Sequence, residues 1–226
     1  MNLAQHLTGF DESALVELES HHRLLVDTKA AYLHMQRAAA QDGFELALVS
    51  SYRSFAQQAR IWTAKYNGQR PVYNKAQQPI DLSRLSNWEK AQAILLYSAL
   101  PGASRHHWGT DLDVYDKAAV AADYQVQLLD AEYAHGGPFY PLNQWLAAHA
   151  AEFGFFRPYL IDQGGVAAEA WHLSYQPLSE GYLAAFTEAM LSDAIKASEI
   201  PDKQMLLEQL PYIMQRYVRT IYTTTD

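Results

Sequence analysis

The sequence predicts an α+β fold, with a small antiparallel sheet flanked by helices and a helical extension at the C-terminus. Short apolar runs at 44–50, 110–115 and 171–175 read as strands, and longer stretches around them repeat their apolar residues at helical spacing. After Pro177 the strand-like runs stop and only helical patterning remains. With 226 residues, 49% of them hydrophobic, the chain can bury a substantial core.

From the N-terminus, residues 11–41 are expected to form one helix. Leu15, Leu18, His22, Leu25, Tyr32 and Met35 fall at helical spacing, and Asp11 or Ser13 can cap it. Asp42-Gly43 then turns the chain into a strand, Phe44 to Ser50. Ser54 caps a helix to Lys65. Gly68, Pro71, Asn74 and Pro79 punctuate a long loop over 66–86, a length that usually serves function. A helix from Asn87 to Leu100 ends at Pro101-Gly102, and Thr110 to Tyr115 forms a strand with one polar face. A Gly- and aromatic-rich loop (130–140), a helix (141–153) and strands at 155–160 and 171–175 follow. Two long helices, 178–198 and 202–222, close the chain, and Pro211 is expected to kink or split the second. The domain division expected is thus 1–177 and a helical extension, 178–226.

Composition narrows the function. The net charge of −8 opposes general binding to nucleic acid or an anionic membrane, since both need a basic patch. The chain has no cysteine, so disulfides, thiolate catalysis and Cys-ligated zinc are excluded. Any metal is held by His, Asp or Glu. No apolar run approaches a membrane span, and the N-terminus lacks the basic and apolar regions of a signal peptide. A cytoplasmic protein is expected as written, or a periplasmic one if a leader has been removed.

Two segments carry chemistry. Ser104 to Asp113 (SRHHWGTDLD) puts two imidazoles, a glycine turn and two carboxylates within ten residues. On a strand, Asp111 and Asp113 share a face, and the loop entering it returns a histidine beside them. His106 and His107 are alternative ligands, and Asp111 either orients an imidazole or is exposed. Glu169 to His172 (EAWH) does not fit the helical H-E-x-x-H arrangement, but a bend into a strand can set Glu169 beside a metal on His172. A catalytic zinc site needs three protein ligands, an open position and a base. The two segments supply all of these except the open position.

Ser104, His106, Gly109 and Asp113 fit S-x-H-x-x-G-x-x-x-D, and Glu169 to His172 fits E-x-W-H. With the upstream Ser50-Ser51-Tyr52-Arg53-Ser54, the chain resembles the D-alanyl-D-alanine carboxypeptidase and dipeptidase family of zinc peptidases, the VanY type. The motifs span 50–172, and the likeness lies in their combination. It implies one Zn2+ per chain, held on the sheet by His106, Asp113 and His172. Glu169 would be the general base and then protonate the leaving amine, and Arg53 would stabilise the oxyanion. Ser104 and Tyr52 would bind substrate.

The implied substrates are peptidoglycan peptides cut beside a D-amino acid, by a D,D- or L,D-carboxypeptidase. A D-Ala-D-Ala dipeptidase, a wall endopeptidase and a non-catalytic peptidoglycan-binding module on the same fold are the alternatives. A carboxypeptidase also needs a group for the terminal carboxylate, for which Arg60, Arg70 and Arg84 are candidates. The loops 66–86 and 130–140 would wall the cleft. The helices after 178 exceed the family pattern. Their apolar faces suit packing on the core, a homodimer interface or a lid.

Overall fold

The computed structural model describes residues 2–223. In chain order its helices and strands are α1 (Leu3–Leu7), β1 (Leu15–Glu17), β2 (Arg23–Leu25), α2 (Val26–Gln41), β3 (Leu46–Ser50), α3 (Phe55–Tyr66), α4 (Asn87–Leu95), β4 (Asp111–Asp116), α5 (Asp130–Tyr133), α6 (Tyr140–His149), β5 (Phe155–Phe156), β6 (His172–Tyr175), α7 (Gln176–Ala185), α8 (Glu188–Lys196), α9 (Lys203–Glu208) and α10 (Leu210–Ile213). The architecture is α+β, as expected.

The main sheet is antiparallel, in the order β3-β4-β6-β5. Its register builds the site. Asp113 stands opposite His172, and Asp111 stands opposite Ser174. Side chains alternate along a strand, so these four share one face while Leu112, Val114 and Leu173 share the other. The apolar face packs on Tyr32, Met35 and Ala39 of α2 and on Leu142, Trp145 and Leu146 of α6. The polar face is the floor of a cavity.

A second core lies beyond that cavity. Trp62 of α3, Ile94 and Leu95 of α4, and Trp108 meet Phe186, Leu191, Ile195, Leu206, Leu210 and Ile213 of the C-terminal segment. The apolar residues behind the expectation of a dimer interface or a lid therefore face inward.

Several elements differ from the sequence expectations. The helix expected over 11–41 begins only at Val26. Before it, β1 and β2 form a hairpin turning through His21, whose φ is +74°. The hairpin docks on two motif segments: Tyr52 N–H donates to the Arg23 carbonyl and Leu25 N–H to that of Gly109. A helix across 15–25 would forfeit both bonds. The two long C-terminal helices are four short ones. Phe186 takes an extended ψ of 120° and buries its ring completely, and Thr187 Oγ1 caps α8 through Met190 N–H. Pro211 splits the second helix by starting α10, after which Met214–Arg219 widens into a π turn. The strand expected over 155–160 stops at Phe156, since Pro158 has no donor for a ladder.

Candidate metal centre

The centre is assembled from two strands and a tight turn. Arg105–Trp108 forms a 3-10 turn closed by Gly109, whose φ is +70°. A Cβ there would lie 2.5 Å from Leu15 Cδ2, so glycine meets both a left-handed backbone and a close approach. The turn places His106 over Asp113 and His172. Ligand atoms of these three buried residues all lie within 4.8 Å of one another.

Hydrogen bonds assign the imidazole nitrogens. His106 Nδ1 lies 2.8 Å from the Ser51 carbonyl, which only accepts, so Nδ1 carries the proton. Nε2 then faces Asp113 Oδ2 at 3.3 Å with a free lone pair. His172 Nε2 donates to Asp111 Oδ1 at 2.9 Å, which turns Nδ1 toward Asp113 Oδ1 at 3.1 Å. Asp111 is fixed in turn by Arg105 Nε (2.8 Å), Thr110 Oγ1 (2.6 Å) and Ser174 Oγ (3.0 Å). It is fully buried and orients His172.

Charges follow from these contacts. Burial alone pushes the Asp113 carboxyl up, but His106 and His172 outweigh it and hold the group well below the usual carboxylate range. Burial opposes charge on His172, yet its bonds to Asp111 and Asp113 raise it to about 9. The donor set fits a metal that prefers imidazole and carboxylate: two nitrogens and one oxygen converge, and a carboxylate backs one imidazole.

Beside this cluster lies a cavity of about 280 Å3. Arg53, Ser104 and Glu169 line it together with the three ligand side chains. Glu169 Oε2 lies 3.6 Å from His172 Nδ1. Burial pushes the Glu169 carboxyl up to about 8, with His172 opposing and Asp113 adding to the rise. Arg53 Nη1 donates to Gln58 Oε1 at 2.9 Å, Nη2 lies 3.9 Å from Asp113 Oδ2, and Nε is buried with no hydrogen-bond partner among the described residues.

Several sequence expectations change at this point. Tyr52 lies outside the cavity lining. Its ring is buried with the Arg23 guanidinium 5.1 Å from its centre, and its hydroxyl donates to the Gly9 carbonyl. Arg60, Arg70 and Arg84 are exposed and also outside the lining. His107 is a framework residue rather than a ligand: Nδ1 donates to the Arg53 carbonyl at 2.6 Å, and Nε2 accepts from Gly102 N–H. The 66–86 loop does wall the cavity, through Tyr73 and Gln77. The adjoining wall comes from Gln127–Leu129, just before the stretch expected, and Asp130 N–H donates to Gln77 Oε1. Sequence reasoning missed Gln58, Lys65, Arg105 and Tyr159. Gln58, Ile61 and Lys65 share a face of α3, so two polar residues seven apart on that face were the available signal.

Residues 21–178 match the D-alanyl-D-alanine carboxypeptidase (VanY) family. The chain belongs to that family. It is 35% identical over 121 residues to an uncharacterised protein of Haemophilus influenzae, covering 53% of this chain and 92% of the relative. Among solved structures the VanY-family chain resembles VanYB in complex with D-alanine-D-alanine, with a TM-score of 0.53 and 22% identity over 82% of this chain and 89% of that one. It also resembles a point mutant of the vancomycin resistance D,D-pentapeptidase VanY in complex with Zn(II). There the TM-score is 0.53 and the identity 23%, over 78% of this chain and 88% of that one. At these identities the two structures establish a shared fold. Membership of the family makes the chain a carboxypeptidase of the metallopeptidase class acting on peptidoglycan. Among the described residues no helix is long and apolar enough to cross a membrane.

Proposed function

We propose that this chain is a zinc carboxypeptidase that removes a terminal D-amino acid from peptidoglycan-derived peptides, with D,D- or L,D-specificity. The observation that carries this reading is the convergence of His106, Asp113 and His172 on one point, with Glu169 and Arg53 facing the same cavity. His106, Asp113 and His172 would hold the zinc ion, which when bound would supply Lewis acidity and lower the pKa of water.

The chain's own groups do the rest. Glu169 takes the proton from the attacking water and returns it to the leaving amine. Its buried position favours holding that proton between the two transfers. Arg53 directs a guanidinium at the oxygen on which negative charge grows, and Gln58 holds that guanidinium in place. Ser104, buried and lining the cavity, offers a hydroxyl to substrate.

The test is mass spectrometry of products from defined muropeptides, with and without a chelator, alongside metal analysis. The reading predicts about one zinc per chain and chelator-sensitive release of a single D-amino acid from tetra- or pentapeptide stems. Hydrolysis of free D-Ala-D-Ala in preference to stems would make it a dipeptidase, and cleavage inside cross-links an endopeptidase. Metal uptake without any hydrolysis would leave a binding module.

A further inference from the structure

We propose that Lys65, supported by Ser98, anchors the free α-carboxylate of the substrate's last residue and thereby confines this site to cutting at a peptide's end. The inference rests on the peptidase reading above and names the recognition group for its substrate.

Lys65 sits near the end of α3, on the face that also carries Gln58 and Ile61. It lines the same cavity as Arg53 and Glu169. Its Nζ donates to Ser98 Oγ at 2.6 Å, and among the described residues no carboxylate forms an ion pair with it. An ammonium has three protons to donate, and a hydroxyl is neutral. The contact therefore orients Nζ without balancing its charge. Burial pushes Lys65 down to about 8, the cost expected of a shielded cation that lacks a counter-ion.

The other charges near the cavity do not supply that counter-ion. Asp113 is committed to His106 and His172 and also faces Arg53. Glu169 acts on Lys65 only from a distance, and its own carboxyl stays raised. The positive charge at this end of the cavity is thus left for a ligand anion. In a peptide bound with its scissile bond at the metal centre, the departing residue carries that anion, since its α-carboxylate is two bonds from its amide nitrogen. The exposed Arg60, Arg70 and Arg84 are not placed for this role. Ile61, Tyr97 and Val166 provide the mostly apolar wall for the side chain of the same residue.

The experiment compares each stem peptide as its C-terminal acid and its C-terminal amide, using the zinc-loaded full chain and its Lys65→Met and Lys65→Arg variants. A buried charged hydrogen bond is worth about 10- to 100-fold, so the wild type should prefer the acid by roughly that factor in kcat/KM, mostly through KM. Lys65→Met should keep its zinc, lose that factor on the acid and treat acid and amide nearly alike. Lys65→Arg should keep part of the preference. A wild type that cleaves the amide as well as the acid overturns the proposal without any variant. So does a Lys65→Met enzyme that retains the wild-type preference.

Calorimetric binding of N-acetyl-D-alanine and its amide reads the anchor without turnover. Lys65-dependent preference for the acid sustains the anchor even if no stem is hydrolysed, in which case only the peptidase reading fails. Equal binding of acid and amide by the wild type counts against the anchor whether or not stems are cut. A carboxylate on a substrate side chain, as the alternative source of the anion, would leave amide peptides fully Lys65-dependent, and that result also rejects the proposal.

Discussion

At the residue scale the centre is a set of directed protons. Ser51 and Asp111 each take one imidazole proton, and this leaves His106 Nε2 and His172 Nδ1 to converge with Asp113. Asp111→Ala should therefore lower zinc affinity by about 10- to 100-fold while sparing the three ligands, as read by competitive chelator titration. Unchanged affinity would show that His172 needs no support. Glu169→Ala separates the other function. It should retain zinc but lose roughly 10²-fold or more in kcat, measured by amino-acid release. A third expectation concerns pH. Lys65 is held at about 8 by burial, with Glu169 raising it and Arg53 and Arg70 lowering it further. The ammonium is present below that value and lost above it, so KM for acid substrates should climb as the pH passes about 8. Lys65→Arg keeps its charge and should remove that climb. The grouping itself was legible in advance, because His106, Asp113, His172, Glu169 and Arg53 sit in short motifs and all line one cavity. Tyr52 was misplaced for a physical reason. A motif shows which residues are neighbours in the chain, and it does not show that the Arg53 side chain faces the cavity while the Tyr52 ring packs against Arg23 and Gly9.

At the element scale the ligand geometry depends on one register and one turn. The pairing of Asp113 with His172 unites segments 59 residues apart, and a one-residue slip would turn every site residue on that strand into the core. Gly109 sets the angle between the 3-10 turn and β4. Gly109→Ala adds a Cβ to a left-handed backbone and drives it against Leu15. It should cost about 1–2 kcal/mol in urea unfolding and weaken zinc binding with it. Full zinc affinity in this variant would show that the turn does not position His106. The strands bearing the site were readable because they alternate polar and apolar residues. The hairpin at 15–25 was not. Its Leu15, Leu18, His22 and Leu25 mimic helical spacing, and what overrides the pattern is two hydrogen bonds to Gly109 and Tyr52, far away in sequence. The break at Phe186 is similar, since burying its ring outweighs continuing the helix.

At the scale of the whole molecule the cavity lies between two cores, and only one of them is complete within the family match. The sheet with α2 and α6 closes the first core inside residues 21–178. The second joins Trp62, Ile94, Leu95 and Trp108 to side chains from Phe186 through Val218, all beyond the match. Helix α3 belongs to this second core through Trp62, and the same helix carries Lys65 to the cavity and Gln58 to the Arg53 guanidinium. The C-terminal side chains therefore pack on the helix that lines the site without lining the cavity themselves. Phe186→Ala, which empties a fully buried ring site, should cost about 3–5 kcal/mol in urea unfolding. Removing residues 178–226 strips one whole side from Trp62 and Trp108. The shortened chain should lose cooperative unfolding and stoichiometric zinc together. A truncated chain that still unfolds in one transition and binds one zinc would show that the first core alone carries the metal centre, and would reduce the C-terminal helices to a cover over α3.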